Sequence, residues 1–192
     1  GRAASRGAAV EFIEADAGAA KLARGFDAAF SRFGVMFFEQ PAAAFANIRT
    51  ELRPGGRALF IVWRTLAESP WATTPIEAVK PILKAPLAMP DPDAPGPFSF
   101  ADANKIERVL GDAGWTRVSI TPWDGDIAIG GGGSLEESAD FLLRIGPCAR
   151  AIADQGLDPA EARRLLIEKL TPLLSAGGVK LGAACWLVEA TA

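Results

Sequence analysis

The sequence predicts an α/β fold built on a mostly parallel sheet between helical layers, and three observations in residues 41–64 predict it. Leu59-Phe60-Ile61-Val62-Trp63, inside the segment Arg57 to Arg64, is a near-continuous apolar run, the pattern of a strand covered on both faces. Before it, Pro41 suits the first turn of a helix, and Phe45, Ile48 and Leu52 recur at spacings of three and four on one face. Between the two, Arg53-Pro54-Gly55-Gly56 ends the helix, because Pro cannot extend it and Gly accepts positive φ. With a short apolar stretch at Gly25 to Phe30 upstream, the order is strand, helix, turn, strand: a βαβ unit.

The remaining elements follow in order. Ala9 to Asp16 alternates apolar and polar at Val10, Glu11 and Phe12 and predicts a short strand ending at Asp16. Thr65 to Pro97 holds eight of the chain's 14 prolines and predicts an insertion over the surface. Ser99 or Asp102 caps a helix carrying Ile106, Val109, Leu110 and Ala113, closed by Gly114. A strand follows from Trp115 to Trp123. Gly130 to Gly133 resembles a flexible linker, yet Ser134 with Glu137 forms a capping box, which marks the start of a helix. Asp158-Pro159-Ala160-Glu161 opens another helix, through Leu165, Leu166 and Leu170. Ala183 to Ala190, with Cys185-Trp186-Leu187-Val188, reads as a last buried strand.

Composition sets the bounds. A chain of 192 residues with 49% apolar residues forms one compact domain with a substantial core. The expected core is 9–64, 98–124 and 183–191, with cap or insertions at 65–97 and 133–178. The net charge of -3, without a block of Lys and Arg, argues against nucleic acid as a partner. The apolar runs are far shorter than the roughly 18 to 20 residues a membrane span needs. No secretory leader is visible in Gly1 to Asp16, and the expected location is the cytoplasm. Cys148 and Cys185 stand far apart with no His in the chain, so neither a disulfide framework nor a zinc site has support, and no metal is expected. The absence of His and Tyr excludes any scheme needing an imidazole or phenol from this chain. The first residue is Gly, and the first strand-like segment begins almost at once, so a truncated chain is expected.

Three segments in order carry a resemblance: Val10-Glu11-Phe12-Ile13-Glu14-Ala15-Asp16-Ala17, then Phe26-Asp27-Ala28-Ala29-Phe30-Ser31-Arg32-Phe33-Gly34, then Leu52-Arg53-Pro54-Gly55-Gly56-Arg57 before a buried strand. Together they resemble class I S-adenosylmethionine-dependent methyltransferases of the ubiquinone/menaquinone-biosynthesis type (methyltransferase type 11), over Val10 to Arg64. The resemblance implies a Rossmann-like three-layer sandwich, its mostly parallel sheet ending in an antiparallel strand pair, with a helical cap. It implies S-adenosylmethionine as cofactor and a small-molecule methyl acceptor as partner. The cofactor-binding candidates are Asp16 and Ala17, at the adenine, and Ser31, Arg32, Phe33 and Gly34, at the methionine end and acceptor pocket. Asp16 alternatively caps or solvates a strand end, and Arg32 alternatively pairs with Asp27 or Glu39. No catalytic residue is assigned.

The glycine-rich turn and the ribose-binding acid of such enzymes have no counterpart here and are expected upstream of Gly1. Their absence predicts an exposed sheet edge and apolar face beside Phe26 to Phe30, through which two copies could pair. The expected function is methyl transfer to a small molecule, impaired in this chain; the alternative is a non-catalytic remnant or interaction module. A nicotinamide-dependent reductase is a third reading, against which the Pro-Gly-Gly turn and antiparallel ending argue.

Overall fold

A computed structural model describes residues 7, 10–22, 25–87 and 91–192. The elements in order are β1 (Phe26–Arg32), α1 (Pro41–Glu51), β2 (Leu52–Trp63), α2 (Pro70–Val79), α3 (Ala103–Asp112), β3 (Thr116–Ala128), α4 (Leu135–Leu142), α5 (Gly146–Gln155), α6 (Pro159–Leu170), β4 (Leu174–Ser175) and β5 (Gly178–Thr191). The sheet runs β1-β2-β5-β3, with β4 pairing β5. β1 and β2 are parallel, while β5 is antiparallel to both β2 and β3. The expected α/β sheet with an antiparallel ending is observed, as a mixed and not a mostly parallel sheet: β1-β2 is parallel, and the three pairings of β5 are antiparallel.

Local chemistry accounts for most boundaries. Pro41 occupies the first turn of α1, where its missing N–H is no loss. Of the two cap candidates for α3, Asp102 is used: its carboxylate accepts from the Asn104 amide at 2.9 Å. The capping box before α4 is reciprocal, with Glu137 N–H donating to Ser134 Oγ and Ser134 N–H to Glu137 Oε2. Asp158 caps α6 through the Ala160 amide. The Pro54-Gly55-Gly56 turn appears as a bulge inside β2, where the register to β1 shifts after Phe26 and Gly55 takes φ +78. Gly56 is required there, since a Cβ would stand 3.0 Å from the Arg53 carbonyl and 3.2 Å from that of Asp27.

One face of the sheet packs on α1 and α3. Ala58, Phe60 and Val62 of β2 and Val188 and Ala190 of β5 point into it, with Phe45, Ile106 and Leu110 of the two helices. Pro70 of α2 lies over Gly182 of β5, whose Cβ would come within 3.1 Å of the Pro70 ring, and α4 and α6 join α2 in the same core. The opposite face carries Phe30, Leu59, Ile61 and Leu187 in cross-strand rows; it is open at its β1 edge, where Phe30 is 72% exposed and Phe26 45%. β1 is an edge strand, as expected.

Four expectations change. Val10 to Asp16 is not a strand, and Ala9 lies outside the described residues; Val10, Phe12 and Ile13 are exposed. Alternation marks a strand only where a neighbour offers a hydrogen-bonding ladder, and this segment pairs with none. The proline-rich segment does not run wholly over the surface, because Trp71, Ala72 and Ala78 of α2 enter the main core. The glycines at 130–133 are no free linker: Gly132 abuts Gly177 and Gly178 backbone to backbone. The strand predicted to end at Trp123 continues to Ala128, with Pro122 tolerated on an edge strand and Gly125 leaving room for the Trp123 ring.

Candidate functional site

In an open sheet with parallel strands, ligands bind beyond the strands' carboxyl ends, so the chain following β1 is the place to look. There Ser31, Arg32, Phe33 and Gly34 turn out of β1 toward a short helical turn at Val35–Phe37. Phe33 takes φ +63, a left-handed conformation that costs a residue with a Cβ roughly 1–2 kcal/mol. The surroundings hold it: the Phe33 N–H donates to the Ile61 carbonyl of β2 at 3.0 Å, and its ring stacks on Trp63 with centroids 4.0 Å apart. Strain of this kind persists only where neighbouring contacts over-determine it, and it concentrates at ligand sites.

Two cavities flank this turn. The first, about 460 Å³, lies between residues 17–22, α1 and the edge of β1, and includes Ala17, Ala29, Ser31, Gly34, Asn47 and Glu51 in its wall. The second, about 680 Å³, opens on the other side, walled by Arg32, Phe33, Trp63, Trp71, Trp123 and Phe141 among others. Alternation along the chain aims Ser31 and Arg32 to opposite sides, so one short turn serves both cavities.

The six predicted residues are therefore divided. Ala17, Ser31 and Gly34 line the first cavity, and Arg32 and Phe33 the second. Asp16 lines neither; its carboxylate accepts from the Gly18 amide at 2.8 Å and closes the turn at 16–20. Because 10–16 is not a strand, Asp16 does not stand at a strand end. The structural alternative for Arg32 is not realised with Asp27, which pairs with Arg53 at 2.9 Å; among the described residues Arg32 makes no ion pair.

Three residues escaped the sequence reading. Asn47 of α1 donates through Nδ2 to the carbonyls of Ala20 at 3.0 Å and Ala17 at 3.4 Å, fastening residues 17–20 over the first cavity. Glu51 lines that cavity at 7% exposure; its carboxylate accepts no hydrogen bond, and Lys21 Nζ is 3.9 Å away. Trp71 lines the second cavity at 5% exposure with its indole N–H unpartnered. An amide, a carboxylate and an indole in amphipathic helices look like ordinary surface or core positions, and no sequence signal separates them.

Cys185 also borders the second cavity, and Cys148 lies under α2; burial pushes both thiols up to about 11. Cys185 is thus a protonated wall and not a nucleophile. The sign of the linkage is definite: both folded-state values exceed the ordinary 9.0, so the folded chain holds protons that the unfolded chain has released. Stability is expected to be fully present below pH 9 and to fall between pH 9 and about 11, where the unfolded chain's thiols ionise and the folded chain's stay protonated. Urea midpoints at pH 8 and pH 10.5 check this, and Cys148→Ala with Cys185→Ala should flatten that part of the drop.

A family model described as a methyltransferase domain matches residues 1–60. No curated protein matches the chain by sequence. Among solved structures, the YcgJ protein of Bacillus subtilis is similar over 99% of this chain and 74% of its own, at 12% identity and a TM-score of 0.53. A Bacillus halodurans protein assigned as a methyltransferase is similar over 95% of this chain and 77% of its own, at 13% identity and a TM-score of 0.50. Phosphoethanolamine N-methyltransferase 2 of Haemonchus contortus, solved with phosphomonomethylethanolamine and S-adenosylhomocysteine, matches at 14% identity over 92% of this chain and 35% of its own, with a TM-score of 0.42.

Proposed function

Because residues 1–60 match the methyltransferase-domain family and the chain has the class I methyltransferase fold, we propose that the protein transfers a methyl group from S-adenosylmethionine to a small-molecule acceptor. One observation carries the reading: the strained turn Ser31 to Gly34 walls two cavities at once, at the carboxyl end of the parallel pair. A transfer between two molecules needs two neighbouring sites, and this turn supplies wall residues to both cavities.

The first cavity suits the adenosine end. Its walls are apolar, which suits the faces of a purine ring, and Glu51 is buried among them with Lys21 Nζ 3.9 Å from its carboxylate. Asn47 would hold the 17–20 turn against that end, and Ser31 and Gly34 would face the methionine end. S-adenosylmethionine, when bound, supplies the methyl carbon: the acceptor's lone pair bonds to it while the broken bond's electrons stay on sulfur, leaving S-adenosylhomocysteine. The second cavity, bordered by Arg32 and the aromatic side chains, would hold the acceptor in line and keep water out. Among the described residues no Asp, Glu, His or Tyr borders it, so these walls contribute positioning and not proton abstraction.

Calorimetric titration with S-adenosylhomocysteine tests the reading. Saturable heat is expected, with stabilisation of about 2.7 kcal/mol when the ligand stands at 100 times its dissociation constant. Gly34→Trp, which fills the first cavity, should abolish it. Absence of both heat and stabilisation in the unmodified chain would sink the proposal. The second reading, an interaction module, is favoured by the open β1 edge with Phe30 72% exposed; a concentration-dependent dimer lost in Phe30→Lys, without any cofactor binding, would support it.

A further inference from the structure

The chemistry of the second cavity selects its occupant. Trp63 tilts against Trp71 at 4.7 Å between centroids, Phe33 stacks on Trp63, and Trp123 and Phe141 border the same space. Rings present flat, weakly hydrated faces, and offset stacking or edge contacts reward a planar ligand over a puckered one. One polar side chain interrupts these walls, Arg32, and it has no ion-pair partner among the described residues. The Arg32 guanidinium stands at the exposed rim with no carboxylate beside it among the described residues, although Asp27 is five positions away in the same strand, where Arg53 engages it. Among the described residues no acidic side chain lines this cavity, whereas a cationic ligand would meet Arg32.

We propose that the second cavity binds a planar, ring-bearing organic acid, its ring among Trp63, Trp71 and Phe141 and its acidic group on Arg32. The inference rests on reading this cavity as the acceptor side, and it narrows the acceptor class. A volume of about 680 Å³ accommodates a fused two-ring acid with space to spare. The absence of a carboxylate base is consistent with such an acceptor, whose acidic oxygen arrives already ionised.

Fluorescence titration of the full chain, with and without saturating S-adenosylhomocysteine, compares three probes: 6-hydroxy-2-naphthoate, 2-naphthol, which lacks the acid, and decahydro-2-naphthoate, which lacks the planar ring. The first should bind about tenfold more tightly than either of the others, the size of one charge-assisted bond or one aromatic contact set. Arg32→Gln, at an exposed position, should erase the advantage over 2-naphthol and leave 2-naphthol itself unchanged. Phe141→Ala should weaken both aromatic probes about fivefold without altering S-adenosylhomocysteine affinity. Equal binding of the three probes, or an Arg32→Gln chain that still prefers the acid, would overturn the inference. Normal S-adenosylhomocysteine binding with no discrimination overturns this inference alone, whereas intact discrimination without S-adenosylhomocysteine binding overturns the methyl-donor reading and leaves the acid site standing.

Discussion

Phe45→Ala is expected to destabilise the chain by about 3–5 kcal/mol, the range for removing a fully packed aromatic ring. Phe45 is 2% exposed and touches three other rings, Phe38 at 6.0 Å, Phe60 at 5.1 Å and Phe100 at 6.1 Å. It thereby joins α1 to β2 and to the segment leading into α3, and its carbonyl accepts the Trp115 indole N–H at 3.0 Å. The side chain also borders the first cavity, so its loss should weaken S-adenosylhomocysteine binding as well as stability. Urea unfolding gives the cost directly. Phe37→Ala is the control: that ring is 54% exposed, and its removal should stay within about 0.5 kcal/mol. A cost below about 1 kcal/mol for Phe45→Ala would mean that α1 is not anchored through this ring.

Elements whose signal is local were legible in the sequence. The stripe Phe45, Ile48, Leu52 gave α1 to within a residue, because a helix hydrogen-bonds to itself and needs only one apolar face and two stops. Asp102, Ser134 with Glu137, and Asp158 marked three helix starts for the same reason. The apolar runs at 59–63 and 185–188 gave the two central strands. What failed depends on partners far along the chain. Val10 to Asp16 alternates like a strand and has no ladder to join. α2 carries three prolines, counting its neighbour in the following turn, yet Pro70 sits in its first turn, so the segment folds and buries Trp71. α5 went unread because it starts at Gly146-Pro147, residues that elsewhere signal a loop.

The candidate site was legible in outline only. The turn after β1 could be located from a short apolar stretch followed by Ser31-Arg32-Phe33-Gly34, but its division between two cavities follows from the left-handed turn at Phe33, which no residue type announces. Glu51 shows the limit most clearly. At the end of a helix, beside Arg49 and Arg53, it reads as a solvated charge, and only the packing of residues 17–22 over it leaves the carboxylate buried without a donor. Burial of that kind is a property of the assembled fold and not of any window of sequence.

The crossing of two glycine segments yields the other large effect. Gly178 opens β5 at φ +81, and a Cβ there would lie 2.8 Å from both Cα and the carbonyl carbon of Gly132, itself at φ +84. Backbone cannot swing aside as a side-chain tip can, so Gly178→Ala should add overpacking to left-handed strain and cost about 3 kcal/mol or more. Gly131→Ala separates the two contributions, because Gly131 takes φ +88 with nothing within 4 Å of its Cβ and should pay only the strain, about 1–2 kcal/mol. Gly130 and Gly131 border the second cavity, so pushing this crossing apart should also loosen the wall facing Arg32 and weaken naphthoate binding in Gly178→Ala. Equal losses of stability in the two variants, measured by urea unfolding, would show that the chains part freely at Gly132 and that the glycines serve the turn conformation alone.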